Sequence, residues 1–319
     1  MKSFEGKLAV VTGGGTGMGR ELVRQLADAG CHVAICDVSQ ESMAQTQALC
    51  ASAPVRVSTC VADVSDERQV EAFRDAVRQA HATDHIDLLF NNAGIGGGGS
   101  FVADERAEWD KTFEVCWGGV YRCTRAFLPL LLQSREARIV NTSSVNGFWA
   151  SLGPHASHTA YSAAKFAVKG FSEALINDLR LNAPHVKVSL VMPGHIGTDI
   201  VINSRRILGN DPKDMSTEQL AQSRVRIERA GFPVAGASDE QIRQVLVTLG
   251  EAFRDAAPMT AAQAATVILD GVRAERWRIL VGRDAEILDR LVRESPEQAY
   301  DPDFMERIAN ESSFRIGRP

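Results

Sequence analysis

A glycine-rich segment directly after an apolar run restricts the possible folds more than any other part of this chain. Residues 8–11 read Leu-Ala-Val-Val, residues 12–19 contain five glycines, and a helical pattern starts near residue 18. Glycines let a backbone turn tightly and approach a pyrophosphate, while unpaired N–H groups at a helix N-terminus attract the phosphates. Strand, loop and helix in this order are the context in which such a loop predicts dinucleotide binding.

Short apolar runs alternate with helical patterns over the first two thirds of the chain. Runs rich in Val, Ile and Leu lie at 8–11, 33–36, 55–58, 86–90, 138–141 and 186–191, and a later one lies at 278–281. Helical patterns lie at roughly 18–30, 40–51, 66–81, 106–133, 160–182 and 261–275. Near-continuous apolar runs fit strands buried on both faces. The alternation predicts an α/β fold with a doubly wound parallel sheet and right-handed crossovers.

Residues 200–258 interrupt this alternation, because they contain helical patches but no strand-like run. Sheet strands are expected on both sides of the interruption, so we predict one domain over 1–282, with 200–258 inserted as a lid and 283–319 as a charged tail. The apolar residues of the lid would either contact a bulky apolar substrate or only pack the lid onto the domain. They are Ile200, Val201, Ile202, Ile207, Leu208, Met215, Leu220, Val225, Ile227, Phe232 and Val234.

Composition excludes several classes of protein. The chain has 319 residues, 45% of them hydrophobic, so a large core can form without disulfides or metals. Its net charge of −5 argues against nucleic acid and anionic membranes as partners. The polar start and the lack of a long apolar stretch predict a cytoplasmic protein. The six cysteines form no C-x-x-C pair and predict buried thiols, with no metal site.

Acidic residues follow the second and third predicted strands. Asp37 lies 18 residues after Gly19, where a carboxylate can bind both ribose hydroxyls of an adenosine and repel a 2′-phosphate. This favours NAD over NADP, although Arg20 could counteract it. Asp63 either bonds the adenine amino group, beside Val64, or caps the helix that follows.

A tyrosine and a lysine open the helical pattern at 160–182. Tyr161 and Lys165 are four residues apart, so they lie on one helix face. An ammonium near a phenol lowers the pKa of the tyrosine, which can then exchange a proton with an alcohol or ketone oxygen.

Taken together, these motifs resemble the short-chain dehydrogenase/reductase superfamily, in the branch with a Thr-Gly-x-x-x-Gly-x-Gly loop and a Tyr-x-x-x-Lys helix. The resemblance covers about 5–200 and 261–282, including Ser143-Ser144 and the segment 193–198. It implies a Rossmann-type sheet of about seven strands in the order 3-2-1-4-5-6-7. It also implies hydride transfer between NAD and a secondary alcohol or ketone, and a homodimer or homotetramer formed by the helices at 106–133 and 160–182.

The resemblance also implies residue roles. Tyr161 is the general acid or base, Lys165 binds the nicotinamide ribose and lowers the tyrosine pKa, and Ser144 holds the substrate oxygen. Ser144 precedes Tyr161 by 17 residues, a longer loop than is usual in the family, and His155 and His158 are expected at its surface or against substrate. The full set expected to bind cofactor is Thr12, Gly13, Gly15, Thr16, Gly17, Met18, Gly19, Asp37, Asp63, Val64, Asn91, Ala93, Gly94, Tyr161, Lys165, Pro193, Gly194, Ile196 and Thr198.

One position departs from the family pattern. Cys116 stands where a catalytic asparagine is common. A thiol cannot replace the hydrogen bonding of an amide, but the family uses mainly the backbone carbonyl there, which cysteine keeps. We expect activity to persist with Ser144, Tyr161 and Lys165. The alternative is a non-catalytic NAD-binding sensor or scaffold.

Overall fold

The computed structural model of the protein describes residues 1–153 and 156–311. Strands and helices alternate along most of this length. Their bounds are β1 Leu8–Thr12, α1 Gly17–Asp28, β2 His32–Asp37, α2 Gln40–Leu49, β3 Val57–Val61, α3 Glu67–His81, β4 Leu88–Asn91, α4 Arg106–Phe113, α5 Gly119–Gln133, β5 Ala137–Thr142, α6 Thr159–Asn182, β6 Val186–Pro193, β7 Ile196–Gly197, α7 Ile200–Ile207, α8 Thr217–Arg229, α9 Asp239–Asp255, β8 Met259–Thr260, α10 Ala261–Arg273, β9 Arg278–Val281, α11 Arg283–Glu294 and α12 Phe304–Glu311.

Seven strands form one parallel sheet in the order β3-β2-β1-β4-β5-β6-β9. The predicted fold and strand order are confirmed. The predicted seventh strand is β9, because β7 and β8 pair only with each other. Since all strands of the sheet are parallel, their carboxyl ends meet at one edge, where an open α/β sheet binds its ligand.

Both faces of the sheet are buried, which explains the near-continuous apolar runs. On β1, Ala9 and Val11 face a cluster that includes Leu26 of α1 and Ile268 of α10. Leu8 and Val10 face the opposite cluster, which is built on α3, α5 and α6. A strand covered on both faces needs apolar residues at successive positions.

The segment 200–258, which is predicted to be a lid, has a small core of its own. Residues from α8, α9 and their connections pack together there: Met215, Leu220, Ile227, Val234, Ile242 and Leu246. Ser216 and Ser238 each start a helix with a capping box completed by a glutamine three residues later. For these lid residues the structure favours the packing alternative, because they are buried against one another.

The charged segment after β9 is packed against the domain through an apolar face. Leu288 of α11 and Phe304 of α12 join Val145 and Trp149, which follow β5, in one buried cluster. The Trp149 indole Nε1 donates to the Ala299 carbonyl oxygen at 2.7 Å. The described part of the predicted tail thus supports the loop that leads to Tyr161, while 312–319 lie outside the described residues.

The helix predicted at 106–133 contains a wider turn. Between α4 and α5, residues Glu114–Gly118 form a π-helical turn in which the Gly119 N–H reaches the Glu114 carbonyl oxygen. Such turns are rare and frequent at functional sites. This one contains Cys116.

Candidate active site

A cavity of about 390 Å³ lies at the carboxyl edge of the sheet. Its walls come from the β1–α1 loop, the ends of β2, β3 and β4, and the start of the lid. Ten of the residues predicted to bind cofactor line it: Gly13, Thr16, Gly17, Met18, Asp37, Asp63, Val64, Ala93, Gly94 and Thr198.

At two positions of the glycine-rich loop between β1 and α1, a residue larger than glycine does not fit. Gly13 has a φ of +65°, and a Cβ there would lie 2.8 Å from the Ala93 Cα atom. A Cβ on Gly19 would collide with the Gly13 carbonyl oxygen. Helix α1 has no acidic residue in its first turn, so its positive end is uncompensated. Donor groups and shape both fit a pyrophosphate.

Asp37 stands at the end of β2 on the cavity wall. Its carboxylate accepts hydrogen bonds from the Gly15 N–H at 3.0 Å and the Ser39 N–H at 3.1 Å. Arg20 is engaged elsewhere, since its guanidinium donates to the Gly15 carbonyl oxygen at 2.6 Å and to the Thr46 hydroxyl at 3.2 Å. Arg20 therefore holds the glycine loop against α2.

Asp63 also lines the cavity, but it does not cap α3. Asp66 is the cap, accepting from the first-turn N–H groups. Asp63 binds the Lys111 ammonium at 2.6 Å and the Ser65 hydroxyl at 2.7 Å. Burial opposes ionisation of Asp63, but the Lys111 and Ser65 hydrogen bonds outweigh it and lower its pKa. The capping alternative is wrong, and Lys111 was missed because nothing in the sequence links it to a residue so distant along the chain.

Several predicted residues support the cavity without lining it: Thr12, Gly15, Gly19, Asn91, Pro193, Gly194 and Ile196. The Thr12 hydroxyl accepts from the Asn92 and Ala93 N–H groups, both at 3.0 Å. The Asn91 amide donates to Thr124 at 2.9 Å and to Asn141 at 2.8 Å, so the side chain faces the sheet interior. Asn92, its neighbour, lines the cavity instead.

The turn after β6 is fixed by the segment that follows β9. A Cβ on Gly194 would collide with the Asp284 carboxyl group, which accepts from the His195 N–H at 2.7 Å. The His195 ring nitrogen Nε2 pairs with the Phe253 carbonyl oxygen of α9 at 2.7 Å. Burial raises the pKa of Asp284. Asp284 links the predicted nicotinamide turn to α11, and no pattern in the sequence indicates this link.

The predicted catalytic side chains lie together at the start of α6. The Lys165 Nζ atom is 5.3 Å from the Tyr161 ring centroid and donates to the Thr142 carbonyl oxygen at 2.9 Å. Ser144 lies beside Tyr161 and lowers its pKa, and the Ser144 hydroxyl accepts from the Asn146 N–H at 3.1 Å. Ser143 instead donates to the Lys165 carbonyl oxygen at 2.8 Å. The two neighbouring serines therefore have different partners.

Burial dominates the ionisation of this pair. It raises the pKa of Tyr161, Cys116 adds to the rise, and the neighbouring Ser144 hydroxyl offsets only part of it. Burial also lowers the pKa of Lys165. The expected lowering of the tyrosine pKa is therefore wrong for the protein by itself, because burial has the largest effect on the pKa of Tyr161 and raises it.

Cys116 is fully buried beside the pair. Its thiol donates to the Ile95 carbonyl oxygen at 3.1 Å. A Cβ on Gly94 would lie 3.5 Å from the Lys165 Nζ and 3.7 Å from the Cys116 Sγ, so the thiol and the ammonium border the same small space.

His158 lies against the catalytic tyrosine. The His158 and Tyr161 ring centroids are 4.6 Å apart, with the planes 34° apart. His158 is partly exposed and contacts Tyr161, so its expected position at the surface or against substrate stays open. His155 lies outside the described residues.

The four glycines at 96–99 form a hydrogen-bonded loop. Thr159, at the start of α6, bonds through its N–H and hydroxyl to the Gly99 carbonyl oxygen, both at 3.0 Å. The Gly96 N–H donates to the Ser204 hydroxyl of α7 at 2.8 Å. The loop thus connects the lid to the tyrosine helix.

Three features together define an oxidoreductase of the Rossmann-fold class that uses a nicotinamide cofactor. They are the order of the strands in the sheet, the phosphate-binding loop, and the helix that carries Tyr161 and Lys165. A model of the short chain dehydrogenase family matches residues 7–207, and the chain belongs to this family. Among the helices of the described residues, none is long and apolar enough to cross a membrane.

Similar proteins span most of the chain. SadH of Mycobacterium tuberculosis, described as an oxidoreductase, is 34% identical over 294 residues, which cover 92% of each chain. A short-chain dehydrogenase from Burkholderia phymatum, solved with NAD, has a TM-score of 0.75 and 30% identity, covering 95% of this chain and 98% of that one. A metagenomic short-chain oxidoreductase solved with NADP has a TM-score of 0.54 and 32% identity, covering 60% and 83%.

Proposed function

We propose that this protein interconverts a secondary alcohol and a ketone, with Tyr161 as the general acid and base. The observation that carries the proposal is the meeting of Ser144, Tyr161 and Lys165 beside the cofactor cavity. Ser144 is near enough to Tyr161 to lower its pKa, so one substrate oxygen could meet both hydroxyl groups.

A bound nicotinamide would accept the hydride in oxidation and supply it in reduction. In reduction, the Tyr161 phenol donates its proton to the ketone oxygen as that oxygen gains negative charge, and the Ser144 hydroxyl holds the oxygen in place. In oxidation, the Tyr161 phenolate takes the hydroxyl proton of the alcohol. Because burial raises the pKa of Tyr161, the free site holds a neutral phenol, which is ready for reduction. Lys165 and the positive charge of oxidised cofactor favour the phenolate needed for oxidation.

NAD is the proposed cofactor, in preference to NADP. The carboxylate of Asp37 on the cavity wall supports this preference, because it would repel a ribose 2′-phosphate bound near it. Arg20, the cation that could have offset it, is occupied by the Gly15 carbonyl oxygen and the residues of α2. The proposed roles of the glycine loop, Asp63 and the strand-end residues follow from their positions around the same cavity.

The substrate is proposed to be bulky and largely apolar. Apolar side chains line the cavity where the lid meets the domain, namely Ile95, Val115, Ile200 and Ile207. These residues line the cavity and do not belong to the internal core of the lid, so a ligand in the cavity would contact them.

The test is a panel of bulky ketones and alcohols with NAD and NADP, followed by the absorbance of reduced cofactor. The panel contains cyclohexanone, acetophenone and deoxybenzoin, the α-hydroxy derivative of each, and the corresponding alcohols. Tyr161→Phe should lower kcat roughly a hundredfold to ten-thousandfold. Tyr121→Phe is the matched control, because Tyr121 is half exposed on α5. Equal activity of Tyr161→Phe and wild type would refute the proposal.

The alternative of a non-catalytic NAD-binding sensor or scaffold gains no support from the relatives, which are oxidoreductases. It predicts NAD binding without turnover of any member of the panel, and indifference to Tyr161→Phe.

We also propose a homodimer or homotetramer formed through α5 and α6. Tyr121 and Phe166 leave large apolar surface exposed on these helices. Phe166→Glu should lower the mass measured by light scattering, whereas Val225→Glu, at a similarly exposed position of the lid, should not. An unchanged mass for Phe166→Glu would contradict this assembly.

A further inference from the structure

We propose that His158 is a specificity-determining residue that binds a second oxygen of the substrate, close to the carbon that reacts at Tyr161. The inference rests on the proposed function and specifies its substrate class. That class is α-oxygenated secondary alcohols and ketones, such as α-hydroxy ketones, diketones and vicinal diols.

Contact with the catalytic ring carries the proposal. The imidazole of His158 lies 4.6 Å from the Tyr161 ring, centroid to centroid. A substrate whose reacting oxygen is held by Tyr161 and Ser144 would therefore lie next to the ring that His158 contacts. A second substrate oxygen reaches the imidazole if that oxygen is on the reacting carbon's neighbour or the next carbon.

The hydrogen-bonding capacity of the ring is unused. Within the described parts of the chain, neither nitrogen of His158 has a hydrogen-bond partner, and the side chain does not cap α6 although it stands at the capping position. Ser58, by contrast, pairs with the His81 ring, and the Phe253 carbonyl pairs with the His195 ring. An imidazole without a partner beside the reacting group is left free for a ligand.

The ring is neutral under working conditions. Burial lowers the pKa of His158 to about 4. A neutral imidazole has one N–H donor and one acceptor nitrogen, so it can donate to a carbonyl oxygen or accept from a hydroxyl. It suits an uncharged oxygen function rather than a carboxylate, which would call for a cation.

The backbone around His158 is held from two sides. The His158 carbonyl oxygen accepts from the Ser162 N–H at 3.0 Å, inside the first turn of α6. The next residue, Thr159, is bonded to Gly98 and Gly99. A fixed backbone is what a residue needs to discriminate between substrates by geometry rather than by adapting to each.

The experiment compares each ketone of the panel above with its own α-hydroxy derivative. Wild type should have the higher kcat/KM for the α-hydroxy member. His158→Phe keeps a flat ring against Tyr161 but removes both nitrogens. It should lower kcat/KM for the α-hydroxy member roughly 5- to 100-fold, mainly through KM, and change the parent ketone by less than about threefold. His158→Gln keeps a donor and an acceptor and should retain part of the preference.

The controls distinguish failure of the inference about His158 from failure of the proposed function. The NAD dissociation constant, measured by calorimetry, should be the same for His158→Phe and wild type, and His85→Phe, at an exposed site, should leave every value unchanged. Equal losses of kcat/KM for both members of a pair would overturn the inference, as would a wild-type enzyme without preference. If circular dichroism shows that His158→Phe is misfolded, His158→Gln and His158→Ala take its place. The inference would then be overturned if folded His158→Gln lost as much of the preference for the α-hydroxy member as His158→Ala does. Absence of turnover for the whole panel would instead refute the proposed function.

Discussion

Replacing Cys116 by asparagine restores the residue that is common at this position in the family, and it tests whether the site needs it. The thiol is fully buried in the π-helical turn and makes one hydrogen bond, to the Ile95 carbonyl oxygen. Asparagine can replace that bond but brings extra atoms into a closed space, which costs about 1–3 kcal/mol. Its amide oxygen would cost about 1–3 kcal/mol more if it finds no partner. We expect the melting temperature to fall by several degrees.

Turnover should change much less than stability. Ser144, Tyr161 and Lys165 keep their contacts, and the backbone carbonyl of position 116 remains whatever its side chain. We expect kcat to stay within about tenfold of wild type, which corresponds to about 1.4 kcal/mol in activation free energy. The assay is kcat for the best ketone and alcohol of the panel, with melting by circular dichroism. Cys116→Ser, which keeps a donor of similar shape, and Cys123→Ser, at another buried cysteine of the same helical region, are the controls.

A rise in kcat of several orders of magnitude would refute this reasoning. Each factor of ten is about 1.4 kcal/mol of transition-state stabilisation that the native cysteine fails to supply. The native site would then lack an essential group, and this result would favour the alternative of a non-catalytic NAD-binding sensor or scaffold.

Four further perturbations have outcomes fixed by contacts in the structure. Asp37→Asn should raise the ratio of kcat/KM with NADP to that with NAD roughly 10- to 100-fold, because it removes a charge that repels the 2′-phosphate; an unchanged ratio would remove Asp37 from cofactor selection. Gly13→Ala should destabilise the fold by about 1 kcal/mol or more and weaken NAD binding in calorimetry, because its φ is +65° and its Cβ would press on the loop after β4. Trp149→Phe leaves the Ala299 carbonyl without its indole partner and should cost about 1–3 kcal/mol in urea unfolding. Burial opposes ionisation of Asp289, but its arginine partners lower its pKa. The stability that Asp289 contributes is therefore present above the ordinary aspartate pKa and is lost as the pH falls through the lowered pKa of Asp289. The free energy of unfolding should decrease below about pH 4, and it should decrease less steeply in Asp289→Asn than in wild type.

Local patterns predicted the scaffold well. The strand at 278–281 and the start of the helix at 106 were placed to the residue, and the capped, periodic helices within one or two. The third strand was predicted at 55–58 and is Val57–Val61. It is an edge strand with exposed positions, and Val55 packs on the core although it lies outside the strand. The apolar residues therefore predicted strand bounds that begin and end too early.

Contacts between distant segments were not predictable from patterns. Lys111 meets Asp63 across 48 residues, and Asp284 supports Gly194 across 90. The raised pKa of Tyr161 depends on how completely the site is buried, which spacing along α6 does not encode. The same holds for the π-helical turn, where propensity predicts an ordinary helix and tertiary packing imposes a wider turn.

The position of β9 at the end of the sheet has a consequence for synthesis of the chain. Leu190 of β6 pairs with Arg278, so the outer edge of β6 stays without its neighbour until the lid, α10 and β9 have been made. During that interval the nascent chain exposes an apolar strand edge, which is the kind of surface that recruits other chains. Translation that stops within or just after the lid should therefore yield an aggregating product, and a ribosome-bound chain that ends near residue 258 should be a strong chaperone client.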